Sequence, residues 1–333
     1  MTATARVFNA VPAVRESVPL LVGLTGPSGG GKTFSALRLA TGIQTVTGGD
    51  IYCVDTEARR MLHYADQFKF RHVQFDAPFG SLDYLAAIRY CAGQGAKVIV
   101  VDSMSHEHEG PGGLLDFQAR EFERMGSRES VKMLAWQKPK AARQALLNGI
   151  LQIPANFVFC FRAKEKIKMS NVGGKTQIVP QGFMPIAGEE FVFEMTVNCL
   201  LLPHANGVPT WQSDEPGERM MMKLPEQFRD VFREPRPLDE DTGRQLATWA
   251  AGGATPAARQ SSEMTTDAAA NVLASARNAA KNGKDVLQAH YKTLSKEAKA
   301  VVKPHFAELT ATATEADAMR AEPVALEIEG DVI

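Results

Sequence analysis

Apolar residues fall along this chain in two patterns. Short uninterrupted runs alternate with longer stretches where apolar side chains return every three or four positions, as in buried parallel strands separated by amphipathic helices. VPLLVGLT, from Val18 to Thr25, reads as a first strand. KTFSALRLATGI follows as a helix whose Phe34, Leu37, Ala40 and Ile43 share a face. A TGGD turn leads to the strand IYCVD, and HVQF (His72 to Phe75) reads as a further strand. Ser81 to Gly95 is expected to be a helix N-capped by Ser81, and Val98 to Val101 a fully buried strand ending in Asp102. Helical patterning covers Leu114 to Met125 and Ser130 to Ile150, with a break expected near Pro139. FVFCF, from Phe157 to Phe161, reads as another buried strand, and Met195 to Pro203 as a late one. Pro237 to Gly253 reads as a capped closing helix. The fold class predicted is α/β: a mainly parallel central sheet flanked by helices, plus a small C-terminal helical module.

Boundaries follow from where the patterning stops. Residues 1–17 carry no periodicity and are either an arm that packs on a neighbouring subunit or a frayed end, and residues 18–250 form the core. Residues 251–265 are small, polar and linker-like; 266–322 form the helical module, with Asn282-Gly283 as an internal stop; 323–333 are an acidic tail. Within the module the charge is polarised, with Lys281, Lys284, Lys292, Lys296, Lys299 and Lys303 preceding Glu308, Glu315, Asp317 and Glu322. The 44% hydrophobic fraction of the 333 residues suits a packed core, and no apolar run approaches the ~20 residues of a membrane span. A cytoplasmic protein without membrane contact is expected. A formal net charge of -1 gives no global attraction for polyanions, so nucleic-acid binding would need a local basic patch or an oligomer. Cys53, Cys91, Cys160 and Cys199 are scattered without metal-ligand spacing and read as buried reduced thiols.

Candidate chemistry centres on GPSGGGKT, Gly26 to Thr33, set between the first strand and the first helix, as a P-loop requires. Glycines without Cβ let backbone N–H groups and the helix N-terminus surround a phosphate. Gly26, Pro27, Ser28, Gly29, Gly30, Gly31, Lys32, Thr33 and Phe34 are expected to form the nucleotide-binding set. Lys32 is expected to reach the β- and γ-phosphates, and the Thr33 hydroxyl to ligate Mg²⁺. Asp102 leaves a buried strand at the sheet edge, where it would hold the Mg²⁺ complex through water. Asp55-Thr56-Glu57 emerges at the same edge. The His106-Glu107-His108-Glu109 run has its histidines two apart rather than four, so a flexible glycine-rich loop is expected rather than a zinc site.

GPSGGGKT, IYCVDTEARR and KVIVVDSMS, in that order, resemble the RecA-like P-loop ATPase core over Val18 to Ser105. The resemblance implies an ATPase in which Glu57 polarises the attacking water while Lys32 serves the phosphates, with Asp55 as the alternative base. It also implies that Arg162 falls near the γ-phosphate sensor and that a DNA-binding loop follows. Lys164, Lys166 and Lys168 alternate before Asn171-Val172-Gly173-Gly174, and Lys175 lies on the return, making a hairpin with a basic face for single-stranded DNA. Phe183 is either a stacking surface or core. The whole is most like the phage-encoded RecA-core ATPases that accompany single-strand annealing. That likeness implies a homo-oligomer, ring or filament, in the bacterial host cytoplasm. The C-terminal module resembles the helical modules of phage recombination proteins, implying a recombination or single-strand-binding protein as partner. A P-loop kinase or phosphotransferase, and a nucleotide-switched partner-binding protein, are the alternatives.

Overall fold

The alternation within Val98–Asp102 separates two hydrophobic layers. Val98 and Val100 face one side of the sheet while Ile99 and Val101 face the other, all fully buried. The computed structural model describes residues 15–172, 175–252, 266–294 and 296–321. Gly173, Gly174 and the side chain of Lys175 lie outside the described residues, as do most of the expected arm (1–14), linker (253–265) and tail (322–333). The chain divides into two compact units, Met1–Ala254 and Thr255–Ile333.

In the first unit the elements run β1 Leu21–Gly26, α1 Lys32–Thr47, β2 Ile51–Asp55, β3 Arg71–Gln74, α2 Ser81–Gly93 and β4 Val98–Asp102. They continue with α3 His106–Glu109, α4 Leu114–Arg124, α5 Gln137–Leu151, β5 Asn156–Val172 and β6 Lys175–Pro185. The unit closes with α6 Glu189–Glu194, β7 Val197–Leu200, α7 Pro216–Met221 and α8 Glu240–Ala250. Six strands lie in the order β3-β2-β4-β5-β1-β7, all pairing parallel, and β6 returns antiparallel along β5. This is the mainly parallel, helix-flanked sheet expected from the sequence. One face is covered by α1 and α8, which meet Leu24, Val100 and Val158 through Ile43 and Leu246; the other is covered by α2 and α5, with Ile88 and Leu146 against Ile99 and Phe159. Strand β5 separates β1 from β4, pairing Gly26 with Arg162 on one side and Asp102 with Cys160 on the other. All four cysteines are buried free thiols, as expected.

Several local expectations change. Pro139 does not break a helix. It sits in the first turn of α5, where its missing N–H would have no intrahelical partner. Ser81 does not cap α2, because its hydroxyl donates instead to Glu107 Oε1 at 2.6 Å. The loop expected at His106 to Glu109 is the short helix α3, held by an ion pair between buried Glu107 and buried Arg143 at 2.7 Å. The end of the expected arm packs on its own core, the Arg15 guanidinium lying 4.4 Å from the Trp249 ring centroid, and the next stretch is held too, with Val18 N–H donating to Ala250 O at 3.0 Å. Asp239 caps α8 as expected, accepting from Thr242 N–H at 2.8 Å.

The second unit contains α9 Thr266–Ala280, α10 Lys284–Thr293, α11 Lys296–Val302 and α12 Phe306–Ala321. Ala276, Ala280, Leu287, Val302 and Leu309 form its own small core. Among the described residues, no helix is long and apolar enough to cross a membrane.

Candidate active site

The glycine loop is shaped by what it touches. A Cβ on Gly26 would come within 2.2 Å of the Leu201 carbonyl oxygen beyond β7, so only glycine fits. Gly29 has a φ of +81°, and a Cβ there would meet no protein atom within 4 Å, only the hollow above the loop. Lys32 heads α1 and donates to the Pro27 carbonyl at 2.7 Å, holding its ammonium over the loop. Burial pushes the Lys32 ammonium below its ordinary pKa, opposed by Asp102 and Glu57 nearby.

Asp102 reaches the same place from the end of β4. Thr33 Oγ1 donates to its Oδ2 at 2.5 Å. Burial raises the Asp102 carboxyl to about 6, with the Thr33 bond opposing. Beyond it, the buried Thr56 hydroxyl accepts from Ser103 N–H at 2.8 Å, tying the loop after β2 to the loop after β4.

The two carboxylates of Asp55-Thr56-Glu57 have separate fates. Asp55 is buried. Its Oδ1 accepts from Glu57 N–H at 2.8 Å, and its Oδ2 accepts from Met61 N–H at 3.1 Å and lies 3.0 Å from His72 Nε2. With both oxygens committed to the turn, the alternative-base reading has no geometric support. Glu57 instead faces the hollow: its Oε1 lies 3.7 Å from Arg162 Nε and 3.8 Å from His106 Nε2, and its Oε2 lies 3.8 Å from Arg60 Nη1.

A cavity of about 350 Å³ collects Gly29, Lys32, Thr33, Glu57, Asp102 and Arg162, and extends to Phe34, Arg60 and Tyr64. Phe34 packs 5.9 Å from Tyr64 and 5.5 Å from Phe68, ring centre to ring centre. Sequence reasoning missed Arg60, Tyr64 and His106. Arg60 and Tyr64 lie in a short 3₁₀ turn too irregular to show a period, while His106 is visible only once α3 is folded. A larger hollow of about 910 Å³, lined by Trp211, Leu224 and Phe232, contains no P-loop residue.

The basic hairpin leaves the cavity directly, since β5 carries Arg162 and then Lys164, Lys166 and Lys168 on alternate, exposed positions. Lys164 Nζ is paired with Glu109 Oε2 at 3.3 Å. Phe183 is half-buried and packs beside the buried Val192, Leu200 and Met221. Among the described residues no group of three or more His, Cys, Asp or Glu is placed to hold a metal ion.

Residues 19–186 match the family described as AAA domain. The chain belongs to this AAA domain family. The matched span starts two residues before β1 and ends just beyond β6, so this AAA domain includes every cavity residue and the hairpin. Among solved structures, a KaiC-like protein from the hyperthermophilic archaeon Pyrococcus horikoshii is similar over 52% of this chain and 89% of its own length, with 16% identity and a TM-score of 0.27. No curated protein matches the chain.

Proposed function

We propose that the protein binds ATP with Mg²⁺, hydrolyses it, and couples this cycle to single-stranded DNA held along the β5–β6 ribbon. The observation carrying the reading is the convergence of Lys32, the Thr33–Asp102 pair and Glu57 on one cavity beside an open glycine loop. The donor set fits the cofactors. The space above Gly29 is open, with no protein atom within 4 Å of where a Cβ would stand, and a hydroxyl beside a carboxylate suits a hard, oxygen-seeking cation. Thr33 and Asp102 would hold Mg²⁺, which supplies charge neutralisation at the phosphates.

The remaining work belongs to the chain. Backbone N–H groups of the loop and the first turn of α1 bind phosphate oxygens. Lys32 exchanges its Pro27 carbonyl partner for phosphate, a stronger charge-assisted partner. Glu57 orients the attacking water and takes its proton, a role that needs a carboxylate within about 3 Å of that water. Phe34 and Tyr64 at the far end of the cavity offer ring faces to a base.

The DNA part of the proposal draws on the alternation of Lys164, Lys166 and Lys168, which begins two residues after Arg162 on the same strand. Assembly into a homo-oligomer, and docking of a recombination or single-strand-binding protein on the helical unit, complete it. Steady-state ATP turnover with and without single-stranded DNA tests the reading. Stimulation is expected; DNA-indifferent turnover removes the DNA coupling, and absence of turnover removes the ATPase.

A further inference from the structure

His106 lies outside the P-loop, yet both of its ring nitrogens are committed, and their partners fix where its proton sits. Nδ1 lies 2.9 Å from Thr56 Oγ1. That hydroxyl donates its only hydrogen to Ser103 O at 3.1 Å, leaving it an acceptor toward the ring. On the other edge, Nε2 lies 3.3 Å from Arg162 Nη1, which can only donate. Both edges assign the same tautomer: Nδ1 carries the hydrogen and Nε2 presents a lone pair. The ring is also stacked 4.9 Å from Phe79 at an interplanar angle of 27°, and it stands on α3, which the buried Glu107–Arg143 pair pins to α5.

We infer that His106 is a positioning residue for Glu57: its Nε2 holds the Arg162 guanidinium by Nη1, so that Arg162 Nε stays turned toward Glu57 Oε1. This rests on the reading of Glu57 as the base. Arg162 is 46% exposed along its side chain, and among the described residues His106 Nε2 accepts from its guanidinium at 3.3 Å while Glu57 Oε1 lies 3.7 Å from its Nε. Without the ring acceptor the guanidinium is free to turn into solvent. Glu57 then samples orientations that do not face the water. The nucleotide contacts made by Lys32, Thr33 and Asp102 do not pass through His106, so the loss should appear in kcat and not in KM.

The test uses the full chain with Mg²⁺ and ATP. His106→Phe keeps the ring stack and removes both nitrogens. Its expected effect is a fall in kcat of about tenfold, part of the hundredfold or more that a general base supplies. KM for ATP and melting temperature should be unchanged. His106→Gln, whose amide can place an acceptor near the Nε2 position, should recover most of kcat, whereas His106→Asn should not. In a Glu57→Gln background, His106→Phe should add no further loss. Wild-type kcat in His106→Phe, or an equal loss in both backgrounds, overturns the inference. If His106→Phe does not fold, equal activities of the Gln and Asn variants overturn it. Full turnover by Glu57→Gln removes the base assignment and the inference together, whereas a crippled Glu57→Gln beside an indifferent His106→Phe removes the inference alone.

Discussion

Thr33 donates its hydroxyl to the Asp102 carboxylate at 2.5 Å, joining the first turn of α1 to the end of β4 although another strand lies between β1 and β4. The bond links the helix that follows the glycine loop to the strand that would deliver the proposed Mg²⁺ carboxylate. It also leaves a buried carboxyl whose charge is poorly solvated.

That carboxyl gives the nucleotide-free protein a pH dependence. Its folded-state pKa of about 6 lies above the 3.8 of a free aspartate, so folding favours the protonated form. The stability it contributes is present below about pH 3.8 and is lost as pH rises through about 6, amounting to about 3 kcal/mol. Denaturant melts of wild type and Asp102→Asn, free of nucleotide and metal, should coincide near pH 4, and the variant should be the more stable at pH 8. Adding Mg²⁺ and nucleotide should stabilise wild type far more than the variant, because only the wild type keeps the charged ligand. Parallel melting curves at all pH values would contradict the assignment.

Lys32→Ala should abolish turnover and weaken ATP binding. The other phosphate donors are neutral backbone groups, so the lost ammonium leaves phosphate charge uncompensated. Turnover assays and nucleotide titration check this; normal turnover would rule out the P-loop assignment.

Glu57→Gln should bind ATP normally while turning it over at least about a hundredfold more slowly, as expected for a neutral replacement of a base. Asp55→Asn should behave differently. Its oxygens accept from Glu57 N–H and Met61 N–H, and an amide nitrogen there sets donor against donor, costing about 1–3 kcal/mol of stability. A lowered melting temperature with near-normal kcat per folded molecule is the expected signature. If Asp55→Asn is instead fully stable and inactive, the two roles must be exchanged.

For the ribbon, single-strand affinity should fall with log salt by about 0.7 per phosphate contact. Replacing Lys166 and Lys168 by Ala should flatten that slope by roughly 1 to 1.5 without changing ATP affinity. A pair that includes Lys164 should change it less, because Glu109 already neutralises that lysine at 3.3 Å. An unchanged slope for Lys166 and Lys168 would leave the ribbon a solvated charged face.

The residues that were legible in the sequence are those whose signal is local. The glycine loop is written in eight consecutive positions, and Asp102 announces itself as the polar end of an apolar strand. Local signal also delivered the hairpin, because alternation around a glycine pair has few other solutions. What was not legible depends on residues brought together by the fold. Glu107 looked like part of an exposed acidic loop, and only its partner Arg143, 36 positions later, makes it a buried anchor. Asp55 and Glu57 look interchangeable as sequence and are separated only by His72 and Met61, which claim the first. Pro139 was read by its usual effect inside a helix, because the start of α5 carries no strong capping signal: Trp136 precedes it with no side-chain cap.

The placement of β5 between β1 and β4 sets the gauge of the catalytic gap. Neighbouring strands stand about 4.8 Å apart whatever side chains they carry, so the glycine loop and the Asp102 carboxylate are held two such steps apart by the main-chain ladder. Trimming Val158 or Phe159, buried on opposite faces of the intervening strand, would loosen a layer without altering that width. The dimension on which chemistry depends is thereby insulated from most drift in the core. What the gap cannot absorb is a slip of register in β5, because one residue of shift would replace Arg162 opposite Gly26 with a neighbour facing the other side.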